Sequence, residues 1–452
     1  MLSAQQSQDL TRVGPGTLMG ELMRQYWIPA AASSELVAGK APLRLMLLGE
    51  KLVAFRSPDG SIGVMDHECP HRCASLFMGR NEPGGIRCAY HGWKFDAAGS
   101  CIDMPNVPAE RRFADRVKAK AYKVVERGNA IWVYMGKRAV PPPLPNFDIF
   151  GLPDDQIQVS FVQQPCNFMQ LLEGTIDTTH FTFLHCGSVN AEDLGPKHPQ
   201  YEAIATAEGT FDVWDTPIGV QGGCYRPAAA PEHKGETYWR MAHYLLPIWA
   251  LAAPNNFYED LSATCSVPID DTHSFLVGFR WKKPGAGIPD RFDQTGRISG
   301  KTIPGLTQVN GTQLPNTTGW YGRWRLAETE DNDWNIDRET QMAPWPDGSF
   351  SGLPSLNVQD AAMVVSMGSI VNHTKENLAP TDRLIAMARR RLLDVAYALR
   401  DHGTIPPGVE DGDLYSDRRS GQYYAAPSMS AADSYALRMQ EVVRPLSEAA
   451  DD

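Results

Sequence analysis

The sequence predicts an α+β chain built as two unequal units, and three observations predict it. Residues 40–138 are a series of short apolar, strand-like runs separated by Gly- and Asp-containing turns. Val140-Pro-Pro-Pro-Leu-Pro follows, a run that fits neither a central strand nor a helix interior. Beyond it, strand-like runs are mixed with one strong helical stripe near the C-terminus. At 452 residues the chain is long enough for two or three domains. The predicted division is a helical segment over 1–39 packing on the larger unit, a β-rich domain over 40–139, and a second domain over 140–452.

Taken in order, residues 16–27 read as a short helix, with Thr17 as cap and Leu18, Leu22 and Tyr26 on one face. Leu43-Arg-Leu-Met-Leu-Leu, Leu52-Val-Ala-Phe and Ala130-Ile-Trp-Val-Tyr-Met read as strands. So do Tyr238-Trp-Arg-Met-Ala-His-Tyr-Leu-Leu and Ser274-Phe-Leu-Val-Gly-Phe-Arg-Trp in the larger unit. Residues 285–356 form an irregular insertion, rich in Gly, Pro, Asn, Asp and Thr; so long a stretch without periodicity is usually functional. The helix at 382–400 carries an apolar stripe of Leu384, Met387, Leu392, Val395 and Leu399.

Composition excludes several classes. Apolar residues at 42 % and charged residues at 21 % describe an ordinary globular protein. A net charge of −11 leaves no basic excess for nucleic acid. No apolar run reaches membrane-spanning length, and the N-terminus lacks the regions of a signal peptide. The eight Cys have no disulfide-like spacing, so a reduced, cytoplasmic protein is expected. The last residues, from Ser447, read as a frayed tail.

Two mixed pairs carry the chemistry of the first unit: Cys69-Pro-His71 and, sixteen residues on, Cys88-Ala-Tyr-His91. Thiolate and imidazole both suit iron. Two Cys on one iron and two His on the other make a Rieske [2Fe–2S] centre, whose neutral imidazoles raise its potential. A zinc site would normally set Cys against Cys and His against His. Here each pair mixes the two, so each loop gives one ligand to each iron. Cys69, His71, Cys88 and His91 are therefore the predicted cluster ligands. Respiratory centres add one Cys per loop to form a disulfide; this chain has Cys73 in the first loop but Tyr90 in the second. That points to the oxygenase type, with Cys73 expected as a small buried residue.

A second metal site is predicted in Asn167-Phe-Met-Gln-Leu-Leu-Glu-Gly-Thr-Ile-Asp-Thr-Thr-His-Phe-Thr-Phe-Leu-His185. Non-haem iron oxygenases use two His and one carboxylate on one face and leave positions open for O2. His180 and His185 are the two His candidates. Five residues apart, they would point about 140° from each other on an ideal α-helix. A wider π-type turn brings them together, so a distorted helix is expected. Two carboxylates compete for the third place. Asp177 is the nearer in sequence; Asp360, in Asn357-Val-Gln-Asp, opens an apolar helical run.

The chain resembles the phthalate dioxygenase-like, α-only oxygenase components of Rieske non-haem iron systems. The likeness rests on Thr11-Arg-Val-Gly-Pro-Gly-Thr-Leu-Met-Gly-Glu-Leu, on Cys69-Pro-His-Arg-Cys-Ala-Ser-Leu-Phe-Met-Gly-Arg-Asn-Glu and on Arg87-Cys-Ala-Tyr-His-Gly-Trp-Lys-Phe-Asp. Leu172-Glu-Gly-Thr-Ile-Asp-Thr-Thr-His, Trp334-Asn-Ile-Asp-Arg and Gln359-Asp extend it over most of the chain. The resemblance implies a helix-grip-like catalytic domain, with an antiparallel sheet and helices holding mononuclear Fe(II). It makes Asp360 the third ligand. It gives Asp177 a bridging role, between a His ligand of the iron and a Rieske His of a neighbouring subunit, which implies a homotrimer or stacked trimers. Asn372-His373 departs from the family, where Asp-Arg is frequent.

The resemblance also implies electrons drawn from NADH through a separate reductase; the chain shows no Gly-x-Gly-x-x-Gly after a strand. The expected reaction is cis-dihydroxylation of an aromatic carboxylate such as a phthalate, using O2. O-demethylation of a methoxylated, lignin-derived acid is the alternative, and a Rieske electron carrier without an active site is the alternative of another class. Arg240, on one strand face with Tyr238, Ala242 and Tyr244, and Arg226 are the candidate carboxylate anchors.

Overall fold

Antiparallel pairing organises both halves of the chain. In this computed structural model, which describes residues 2–198, 200–253, 256–282 and 310–444, strands β1 (Trp27–Ala32), β2 (Leu43–Leu47), β3 (Glu50–Arg56), β4 (Ile62–Asp66), β9 (Ala121–Arg127) and β10 (Ala130–Tyr134) form a sheet in the order β1-β10-β9-β4-β3-β2. Between β4 and β9, the short strands β5 (Arg80–Glu82), β6 (Gly85–Arg87), β7 (Lys94–Phe95) and β8 (Cys101–Asp103) make a second sheet. Its small core of Ile86, Trp93, Phe95 and Met104 also buries Cys69 and Cys88.

The predicted helix at 16–27 is shorter than expected. Helix α2 spans Leu18–Met23, capped by the Thr17 hydroxyl on the Gly20 N–H, and the chain turns at Arg24–Tyr26 to enter β1. Trp27 pairs with Tyr134, and Pro29 sits beside a register shift on this edge strand, where its missing N–H disturbs least. Helix α1 (Ala4–Thr11) instead faces the second half: Asp9 accepts from Tyr397, and the Ser7 hydroxyl lies 2.8 Å from His373 Nδ1.

The second half is built on β11 (Ile157–Gln164), β12 (Thr210–Thr216), β13 (Gly219–Pro227), β14 (Thr237–Leu245), β15 (Trp249–Leu251), β16 (Ser262–Pro268) and β17 (Ser274–Trp281), in the order β11-β17-β16-β15-β14-β13-β12, with β18 (Gly421–Ala425) also pairing with β14. Helices α3 (Phe168–Ile176), α4 (Ala191–Leu194), α5 (Tyr201–Ala205), α6 (Arg338–Met342), α7 (Leu356–Ser366), α8 (Arg383–His402) and α9 (Ala431–Arg438) complete the described helices. The predicted stripe buries Leu384, Leu392 and Val395 of α8. At Gly222 of β13 an added Cβ would stand 2.9 Å from the end of the Leu384 side chain, so α8 packs closely on the sheet there. Of the expected irregular stretch, residues 283–309 lie outside the described residues; residues 310–355 hold an isolated Gln313–Leu326 bridge, a 3-10 turn and the five-residue α6, and α7 begins at Leu356.

Three buried amides fix α3 and α7. Asn167 caps α3 by accepting from the Met169 N–H, while its own NH2 donates to Thr11 and Asp271 carbonyls. Gln170 donates to the Val364 and Gly368 carbonyls and accepts from the Val371 N–H, which ties the end of α7 to α3. Gln359, fully buried on α7, is the third. Gly174 lets the two helices approach: a Cβ there would be 3.1 Å from Val364. Phe168, Met169, Leu172 and Ile176 bury the inner face of α3, at about 1.5–3 kcal/mol for each large side chain.

Candidate metal centres

The four predicted cluster ligands come from two loops of the same shape. Cys69 N–H donates to Ala74 O and Cys88 N–H to Trp93 O; Cys73 N–H and Gly92 N–H return to the carbonyls of Cys69 and Cys88. The fifth position of each loop needs left-handed backbone, with φ of +57° at Cys73 and +78° at Gly92. This corrects the expectation for Cys73. It is an exposed free thiol, because the turn that closes the loop points its side chain outward, near Glu68.

The donors separate into a buried thiol pair and an outer imidazole pair. Cys69 and Cys88 are buried, whereas the rings of His71 and His91 are partly exposed, with centroids 4.4 Å apart at 70°. Trp93 stacks on His71 at 4.3 Å, held by its N–H on Asn106, and Tyr90 lies 3.8 Å from His91. Burial pushes the Cys69 thiol up to about 12, against a lowering contact with the His71 N–H and with the Cys88 sulfur adding to the rise. Two neighbouring buried thiols become thiolates together only around a cation, which is what a cluster supplies. Two groups among the described residues bring three or more donors within 4.8 Å of one another, and this quartet is neither of them. The quartet is therefore too spread for one tetrahedral ion, and its paired layout fits a two-iron cluster.

One of the two compact groups is His180, His185 and Asp360. Phe181–His185 forms a π-helical turn, so the two imidazoles face each other with centroids 5.1 Å apart at 76°. Asp360 enters from α7: its Oδ1 lies 3.1 Å from His185 Nε2 and 3.5 Å from His180 Nε2. Donors bonded at about 2.1 Å and set at right angles stand about 3 Å apart, so the three fit one face of a metal ion. The Asp360 side chain remains 43 % accessible. Burial works against its ionisation, but the His185 and His180 rings outweigh that and hold its pKa low.

Asp177 stands behind this group rather than in it. Its Oδ2 is 3.2 Å from His180 Nδ1, and its Oδ1 accepts from the Thr179 N–H and hydroxyl, each at 2.7 Å. Burial raises its pKa, yet the bond to His180, followed by those from Thr179, brings it down to about 2. His185 has a different partner, Gln359, whose Oε1 is 2.5 Å from its Nδ1.

Arg240 and Arg226 lie on one face of the sheet, since Cys224 pairs with Arg240 and Arg226 with Tyr238. Arg240 is 1 % exposed, donates to the Thr178 carbonyl at 2.9 Å and lies 4.8 Å from the centre of the Phe181 ring. Those two contacts bracket His180. The Arg240 Nε has no partner, and among the described residues no carboxylate pairs with Arg240. Arg226 is buried against the Thr206 carbonyl and Cys224. The second compact group, Glu173, His373 and Glu376, already holds a cation: both carboxylates grip Arg389 at 2.5–2.9 Å.

Gln170 and Gln359 have no role predicted from the sequence. The available signal is a single amide inside an apolar helical run, which must find partners when buried.

Two family models cover most of the chain: the Rieske [2Fe-2S] domain matches residues 26–123, and "LigXa C-terminal domain like" matches residues 133–413. The chain is 45 % identical to the 3-chlorobenzoate-3,4-dioxygenase oxygenase subunit of Comamonas testosteroni, over 98 % of this chain and 100 % of that one. It is 34 % identical to the phthalate 4,5-dioxygenase oxygenase subunit of Pseudomonas putida, over 88 % and 87 %. Among solved structures, dicamba monooxygenase bound to 3,6-dichlorosalicylic acid shares the fold, with a TM-score of 0.52 at 17 % identity, over 84 % of this chain and 98 % of that one.

Proposed function

The chain belongs to the Rieske non-haem iron oxygenases that carry a LigXa-type C-terminal domain, and on that premise we propose that it hydroxylates an aromatic carboxylate, by cis-dihydroxylation, as the terminal component of a reductase-fed system. The observation that carries this reading is the convergence of His180, His185 and Asp360 into one compact donor group. Fe(II) held by that set would supply O2 activation, and a [2Fe–2S] cluster held by Cys69, His71, Cys88 and His91 would supply electrons.

The protein's own groups do the rest. Asp177 accepts the Nδ1–H of His180, which leaves Nε2 as the free donor toward the metal. Asp177 keeps 21 % of its side chain accessible. That edge suits a Rieske imidazole of a second copy, so the working assembly is a ring in which one copy's cluster serves the next copy's iron. Arg240 supplies the substrate contact. A buried guanidinium without a carboxylate partner favours an anion beside it, and its position beside Thr178 and Phe181 sets that anion next to His180. The relatives named for 3-chlorobenzoate and phthalate agree with an aromatic carboxylate. Arg226, tied to Thr206 and Cys224, shapes the sheet face behind Arg240.

Incubation with a reductase, NADH and a panel of benzoates and phthalates tests the reading. A cis-diol is the expected product. Formaldehyde from a methoxylated acid, with no diol, would assign O-demethylation, and cluster reduction without any product would leave an electron carrier.

A further inference from the structure

His185 is held between consecutive residues of one helix. Its Nε2 faces Asp360 at 3.1 Å and its Nδ1 faces Gln359 Oε1 at 2.5 Å. Both side chains of the Gln359–His185 pair are buried, Gln359 fully, so water does not substitute for either. The amide is itself anchored: Gln359 Nε2 lies 3.4 Å from the Leu353 carbonyl, in the segment that leads into α7. An amide oxygen only accepts, so Nδ1 must carry the proton and Nε2 must present its lone pair. Anchoring of the NH2 group to a carbonyl assigns the oxygen to the histidine side. The two imidazoles are thus oriented by unlike groups, His180 by the carboxylate of Asp177 and His185 by a neutral amide.

We propose that Gln359 is the positioning residue of the mononuclear site: it fixes the tautomer and ring plane of His185, and so presets the donor face before metal arrives. This rests on the assignment of His180, His185 and Asp360 as the iron ligands. Gln359 and Asp360 are neighbours on α7, so one helix delivers a ligand to the metal and the orienting partner to a second ligand. A shift of α7 relative to the π-helical turn breaks both contacts together. The tie of α7 to α3 through Gln170 protects the same alignment from the other end of the helix.

The test is Fe(II) affinity, measured on iron-depleted protein by chelator competition, with the d–d spectrum of the Co(II)-loaded protein as a second readout. Gln359→Met keeps the length and volume of the side chain and removes the acceptor; it is expected to weaken Fe(II) binding by about 10–100-fold and to change the Co(II) spectrum. Gln359→Glu keeps an acceptor and is expected to bind at least as tightly as the wild type. Cluster absorbance and circular dichroism report folding in each variant. Wild-type affinity in folded Gln359→Met overturns the proposal. Should that variant not fold, Gln359→Glu decides: retained iron supports the proposal, and lost iron in a folded protein overturns it. Asp360→Ala separates the two assignments, since iron held normally in that variant removes the ligand set itself, whereas iron lost there but kept in Gln359→Met removes only the role of Gln359.

Discussion

The proposed Rieske quartet hangs from two nearby loops of equal shape, whereas the proposed mononuclear set joins a π-helical turn to a helix far along the chain. The first set places its sulfurs inside and its imidazoles outside. The second buries His185 and leaves Asp360 partly accessible. The difference follows from what each must do. A cluster that exchanges electrons keeps one edge near the surface, and local turns suffice to hold it. The second group draws its donors from distant parts of the chain, which only the packing of α7 beside the π-helical turn brings together.

If the two regions are independent modules joined by electron flow, breaking one must spare the metal of the other. Cys88→Ser is expected to abolish turnover and the cluster's visible absorbance while the mononuclear iron stays bound; loss of both metals would show that the units fold as one. Asp177→Asn keeps both metals and tests the link. It should lower turnover by about 100-fold, with the cluster still reduced but slow to deliver electrons in single-turnover kinetics. Normal turnover would take Asp177 off the route.

Arg240→Gln sharpens the catalytic side alone. If Arg240 is the carboxylate anchor, removing its charge is expected to cost about 2 kcal/mol or more, a rise of at least about 30-fold in KM for carboxylates. Cluster reduction should be unchanged, and uncharged aromatics should be affected little. An equal rise for charged and neutral substrates would mean that Arg240 only supports the fold.

The smallest effect concerns stability. His243 in β14 is fully buried, with Nε2 donating to the Arg419 carbonyl; burial, then the nearby Arg418 charge, holds its pKa at about 3 against the pull of that bond. The unfolded chain takes up this proton near pH 6.5, the folded chain only near 3. The unfolded state therefore binds more protons between those values, and stability falls as the pH drops through that window. The catalytic half should lose thermal stability on acidification, and His243→Gln should flatten the dependence. An unchanged slope in that variant would place the acid sensitivity elsewhere.

Much of this was legible in the sequence, for identifiable reasons. Cys69 to His91 is one short stretch, so residue type and spacing suffice. The five-residue interval from His180 to His185 predicts the π turn, because no straight α-helix puts those rings together. Asp360 was legible only through family resemblance. Nothing local distinguishes it from a helix-opening carboxylate, and its place is set by the packing of α7 on α3. Cys73 was misjudged because its backbone conformation, not its hydrophobicity, decides its exposure. The end of the helix at Met23 was missed because Trp27 and Ile28 suit a helix face as well as an edge strand, and pairing with β10 decides between them.

A chain with two separate iron sites must show both in its iron content. Wild-type protein purified without oxygen should hold about three irons per chain, and Asp360→Ala about two, with the cluster spectrum intact in both. About two irons per chain in both proteins would contradict two separate sites.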